Sequence, residues 1–109
     1  MPTNYKVLGQ ENPAATTLTT LYTVPAATEA VISSIVVANL TAVDATFRIA
    51  VQPAGASIAD EHYVGYDITV GASDSTVLTL GITMEATDVL SVYGSTADIT
   101  FQAYGSEIS

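Results

Sequence analysis

A chain of 109 residues with 11 acidic residues, two basic ones and no cysteine has room for one domain with a genuine core. Its net charge of −9 speaks against nucleic acid, which needs a basic patch, and against anionic membrane surfaces. The missing thiols exclude a disulfide framework, a cysteine nucleophile and any thiolate metal site.

The opening MPTNYKVLGQENP holds no apolar run of signal-peptide length, and the most apolar stretch, residues 30–40, is about half of a helical membrane span. Residues 1–16 read as an N-terminal arm, because they are polar, punctuated by Pro2, Gly9 and Pro13, and barely alternate. Residues 17–109 read as a single domain. No window of three helical turns is free of breakers and of β-branched runs, and Thr, Val and Ile favour a pleated surface.

The strands fall between turn signals. Residues 17–24 form the first, closed by Pro25. Residues 29–39 form a long second strand whose apolar centre, Val31 to Val37, predicts burial on both faces, or one face in the core and one in an interface. Residues 44–51 alternate, with Phe47, Ile49 and Val51 on one face and Thr46, Arg48 and Ala50 on the other. A loop pivoting on Gly55 leads to residues 62–70, where Val64, Tyr66, Ile68 and Val70 are expected to share a face. Residues 75–80, 88–94 and 98–104 complete the set, and residues 105–109 read as a tail. About seven strands at this spacing predict an all-β fold, an antiparallel β-sandwich or jelly-roll.

No catalytic set stands out. His62 is the only histidine and has no Ser or Asp partner in a recognisable motif. The carboxylates gather in turns and at strand ends, where they cap backbone amides. Asp60 with Glu61, and Glu85 with Asp88, are the best candidates for a calcium site, though the EF-hand pattern is absent. The glycines form no phosphate cradle, and Gly65, inside a strand, marks a bulge or a close approach. Interface candidates are Arg48, the sole arginine, and the strand tyrosines Tyr63, Tyr66, Tyr93 and Tyr104, which combine apolar area with a polar tip. If Arg48 is covered it needs a carboxylate, from its own chain or from a neighbouring subunit. These residues call for no cofactor.

The run TTLYTVPAATEAVISSIVVANLTAVDATFRIAV, with the later segments DITV, STVLTLGITMEATDVLSVYGS and ITFQAYGSEI, resembles small virion structural proteins of tailed bacteriophages. The resemblance spans about residues 17–107 and lies in strand rhythm and phrase, so it assigns no residue roles. It implies a β-rich, oligomeric, non-enzymatic protein of the virion, assembled in the host cytoplasm. Within that class a capsid decoration or cement protein stabilising the outer shell is expected first, and a tail, neck or fibre component second. The implied partners are the chain itself, as a trimer or other cyclic oligomer, and the major capsid protein or tail and neck proteins. A lectin-like glycan-binding or adhesion module is the alternative that the residues alone leave open.

Overall fold

The structure, a computed structural model, describes residues 3–109. Alternating and β-branched segments give eight strands: β1 (Thr3–Glu11), β2 (Thr19–Thr23), β3 (Glu29–Asn39), β4 (Ala45–Gln52), β5 (Tyr63–Val70), β6 (Ser75–Met84), β7 (Val89–Gly94) and β8 (Ile99–Ile108). Two single 3-10 turns, Pro53–Gly55 and Asp60–His62, lie between β4 and β5. A front sheet has the order β1-β8-β3-β6 and a back sheet the order β2-β7-β4-β5, with every strand pair antiparallel. Only the β4–β5 connection stays within one sheet; all the others cross between sheets. The expected all-β sandwich therefore has the jelly-roll strand order rather than the immunoglobulin one.

The inner faces meet in one cluster. Ile32, Ile35, Val37, Ile99, Phe101 and Ala103 come from the front sheet, and Phe47, Ile49, Leu90 and Val92 from the back; all are fully buried. Phe47 and Phe101 touch edge to face across the two sheets, with centroids 6.1 Å apart. Asn39, buried at the end of β3, closes one end of the core. Its Nδ2 donates to the carbonyls of Val43, Val70 and Gly71, and its Oδ1 accepts from the Thr41 amide. Two connections, β3–β4 and β5–β6, are thereby tied to one side chain.

The strand count is one higher than expected because residues 3–11, read as part of an arm, form β1 on the edge of the front sheet. Most β1 side chains are exposed, so no hydrophobic alternation marked the strand. Residue 108, placed in a tail, is the last residue of β8, and β6 runs on to Met84 rather than ending at Leu80. Both extensions pass through bulges. In β3, Ser33 is the extra residue against β8, and it explains why the buried set shifts from Ala30 and Ile32 to Ile35 and Val37. In β6, Leu80 and Gly81 lie opposite Ser33, with Gly81 at φ +62°. β3 is central in its sheet, flanked by β8 and β6, so its apolar run reflects pairing on both sides with one face in the core.

One polar link also joins the sheets. Tyr22 on β2 donates its hydroxyl to Glu107 Oε2 at 2.5 Å, and Lys6 Nζ on β1 lies 2.8 Å from Glu107 Oε1. Lys6 and then Tyr22 hold the Glu107 carboxyl below the usual carboxylate range, while burial, and then Glu107, push the Tyr22 hydroxyl upward. Glu107→Gln is expected to lower the unfolding free energy at neutral pH by about 1.5–3 kcal/mol, the range for hydrogen bonds to charged groups. The contribution of a carboxylate with a depressed folded pKa is complete above its unfolded value of about 4.3 and is lost as pH falls through the folded value. Urea unfolding of wild type and variant should therefore converge in acid, and a gap that persists there would mean that Glu107 acts through packing alone. At the other extreme, a raised tyrosine pKa gives stability that is full below about pH 10 and is lost as pH climbs through the folded value.

Candidate functional site

The outer face of the back sheet carries a cluster built by two irregularities in the β4–β5 pairing, between Phe47 and Ile49 and between Ile49 and Ala50. Ladder pairing sets Arg48 of β4 opposite Tyr93 of β7. On the other side, β5 has two residues, Tyr66 and Asp67, where β4 has one, because the register shifts between Phe47 and Ile49. Asp67 takes φ +52°, and the bulge turns both side chains toward Arg48. Arg48 Nε donates to Asp67 Oδ1 at 2.7 Å, and its guanidinium carbon lies 4.1 Å from the Tyr66 ring centre and 4.3 Å from that of Tyr93. The ion pair with Asp67 raises the Arg48 pKa further, so the guanidinium stays charged.

Tyr63, paired with Ala50, meets Tyr66 edge to face at 4.9 Å. Tyr63 and Tyr66, with Asp60 from the second 3-10 turn, line an open depression of about 430 Å³. The Arg48 guanidinium is engaged by the Tyr66 and Tyr93 rings and, at its edge, by Asp67, which leaves it poorly placed to receive an anion. What stays available is aromatic surface, tyrosine hydroxyls and one carboxylate, a set suited to a neutral, hydroxyl-rich ring or to an apolar contact.

Four of the five sequence candidates, Arg48, Tyr63, Tyr66 and Tyr93, thus come together, and the arginine's carboxylate is from its own chain. Tyr104 lies apart, on the outer face of the front sheet, donating to Gln102 Oε1. His62 closes a 3-10 turn instead of opening β5, and its Nδ1 accepts from the Ala59 amide at 3.1 Å. The expected common face of Val64, Tyr66, Ile68 and Val70 is split by the bulge: Val64 and Tyr66 face solvent while Ile68 and Val70 turn to the core. Gly65, in the buried position between them, has only 2.8 Å to the Ile68 side chain where a Cβ would sit. Asp67 and Asp60 were not singled out as partners of this cluster. An aspartate two residues beyond a mid-strand glycine was the available signal.

Of the calcium candidates Asp60, Glu61, Glu85 and Asp88, it is Asp88 that serves the backbone. Asp88 accepts from the amides of Ala54 (2.8 Å) and Glu85 (2.9 Å), so both of its oxygens are used. Among the described residues no three His, Cys, Asp or Glu side chains group as metal ligands.

The outer face of the front sheet is the second distinctive surface. Paired residues share a face, so the register defines it. It presents Tyr5, Val7 and Gln10 of β1, Gln102 and Tyr104 of β8, Val31, Ser34 and Val36 of β3, and Val77 and Thr79 of β6. Among the described residues Glu29, at its rim, is the only charged side chain on it. Lys6 and Glu107 point the other way, toward Tyr22. Tyr5 (85%), Val77 (60%) and Val7 (48%) are widely exposed there.

No model of a known protein family matches the chain, and no curated protein matches it either.

Proposed function

We propose that the protein is a non-enzymatic structural component of a tailed-bacteriophage particle, a decoration or cement protein that docks on the outer shell through the outer face of its front sheet. The observation that carries this reading is the near-absence of charge on that face in a chain of net charge −9. Depletion of charge with exposed Val and Tyr is the composition of an interface centre, whereas solvated faces carry the charge. Four strands about 4.8 Å apart and about ten residues long present roughly 600 Å². That approaches the ~800 Å² per partner of a stable protein contact. The resemblance in strand phrase to virion proteins supports the same reading, and the acidic loops suit an exterior position away from packaged DNA.

Mass spectrometry and cryo-electron microscopy of purified particles of the phage that encodes the chain test it. Many copies on the shell exterior, front sheet inward, is the expected result. A single ring at the neck or tail would move the role there, and absence from the particle would sink both.

A second reading is favoured by the Tyr63–Tyr66–Asp60 depression: a lectin-like module that stacks a neutral sugar on tyrosine. Glycan-array binding that is lost in Tyr66→Ala would support it, and an array blank for the wild type removes it.

A further inference from the structure

We infer that β6 is a self-pairing edge, and that a second copy of this chain adds to it antiparallel, across a two-fold axis at Val77, to continue the front sheet. A jelly roll of this order leaves four strand edges open, and an open edge is a template for another strand unless something blunts it. Three of the edges are blunted. β2 has only five residues. β5 carries the Asp67 bulge and its ion pair. β1 holds an inward-directed Lys6 and shifts register between Val7 and Gly9. β6 is ten residues long and has no charged residue and no proline. Its one irregularity, at Leu80 and Gly81, comes late in the strand.

The occupant follows from charge and from parity. Two copies of net charge −9 repel, and among the described residues β6 is the only edge strand of more than five residues along which neither presents a charge to the other. Residues from 75 to 79 pair with β3 without a shift, so the regular stretch is five residues centred on Val77. A two-fold axis there sets Ser75 beside Thr79 and Thr76 beside Leu78, and each pair shares a face, as antiparallel register requires. Moving the centre to Leu78 would bring Ser75 against Gly81, whose φ of +62° breaks the extended run. Val77, 60% exposed, would then pack against its own copy. So short an edge buries less than a standard interface, which makes the pairing concentration-dependent.

The inference extends the structural-component reading, and its test uses the isolated protein, so its failure would leave that reading standing. The chain has no cysteine, so Val77→Cys introduces a single thiol. Residues facing each other across an antiparallel ladder lie about 4.5–5.5 Å apart at Cα, within the range that a disulfide spans. Mild oxidation of Val77→Cys should give a covalent dimer at twice the 11.3 kDa chain mass. Thr69→Cys, exposed on the edge strand β5, should stay monomeric. In light scattering at rising concentration, Val77→Lys should abolish the dimer that the wild type forms, because two cations would meet on the axis. An unlinked Val77→Cys whose thiol still reacts with a small reagent, equal linking of both variants, or a dimer unaffected by Val77→Lys would each overturn the inference.

Discussion

Gly105→Ala is expected to cost about 3 kcal/mol or more of folding free energy, at the upper end of overpacking effects. A Cβ on Gly105 would stand 1.9 Å from the Val31 carbonyl oxygen, 3.0 Å from its carbon and 3.1 Å from the Ser33 nitrogen. All three are backbone atoms of the central strand β3, so no side chain can swing away. Ser33 is also the extra residue of the β3 bulge, and Gly105 sits beneath it. Relief therefore means moving β3 or β8 and disturbing the ladders that hold the front sheet together. Urea unfolding would read the loss directly, and a change below about 0.5 kcal/mol, as at an ordinary surface position, would show that the bulge accommodates a methyl group.

Phe101→Ala is the second large effect, at about 3–5 kcal/mol, from lost transfer energy and the cavity left behind. Phe101 is fully buried and is the front-sheet half of the aromatic contact with Phe47. Removing it leaves space between two sheets whose backbones are fixed by their own ladders, so collapse into the gap is limited. The loss is a large share of the about 5–15 kcal/mol that such a domain possesses. Phe101→Leu should retain most of the stability by filling most of the volume. Equal damage from both variants in thermal unfolding would point to the edge-to-face geometry rather than the volume.

Where the ladder is regular, sequence and structure agree residue by residue. Residues 44–51 alternate because β4 pairs with β7 without a shift, and Phe47 and Ile49 point inward while Arg48 points out. Disagreement begins wherever a bulge changes parity. Asp67 at positive φ reverses the faces of β5, and Ser33 does the same in β3, with no composition change large enough to announce it. β1 was hidden for another reason: an exposed edge strand has no apolar face to reveal its period. For the Tyr–Arg cluster the side-chain types were legible, but which of them meet depends on the bulge. The nearly uncharged outer face of the front sheet was not legible, because it draws on four strands that are far apart in the sequence.

The order of the front sheet has a consequence for synthesis. The strand that β1 pairs with is β8, and the pairing joins Thr3 to Ile108. β1 must therefore wait for β8, and until β8 has left the ribosome β3 also lacks one of its two neighbours. The neighbouring strands β4 and β5 can pair before β8 is made, but the front sheet is complete only once β8 is present. Contacts this distant in sequence belong to proteins that fold in about milliseconds to seconds. During that wait β1 has no partner and β3 has only one, and a net charge of −9 opposes the association of crowded copies.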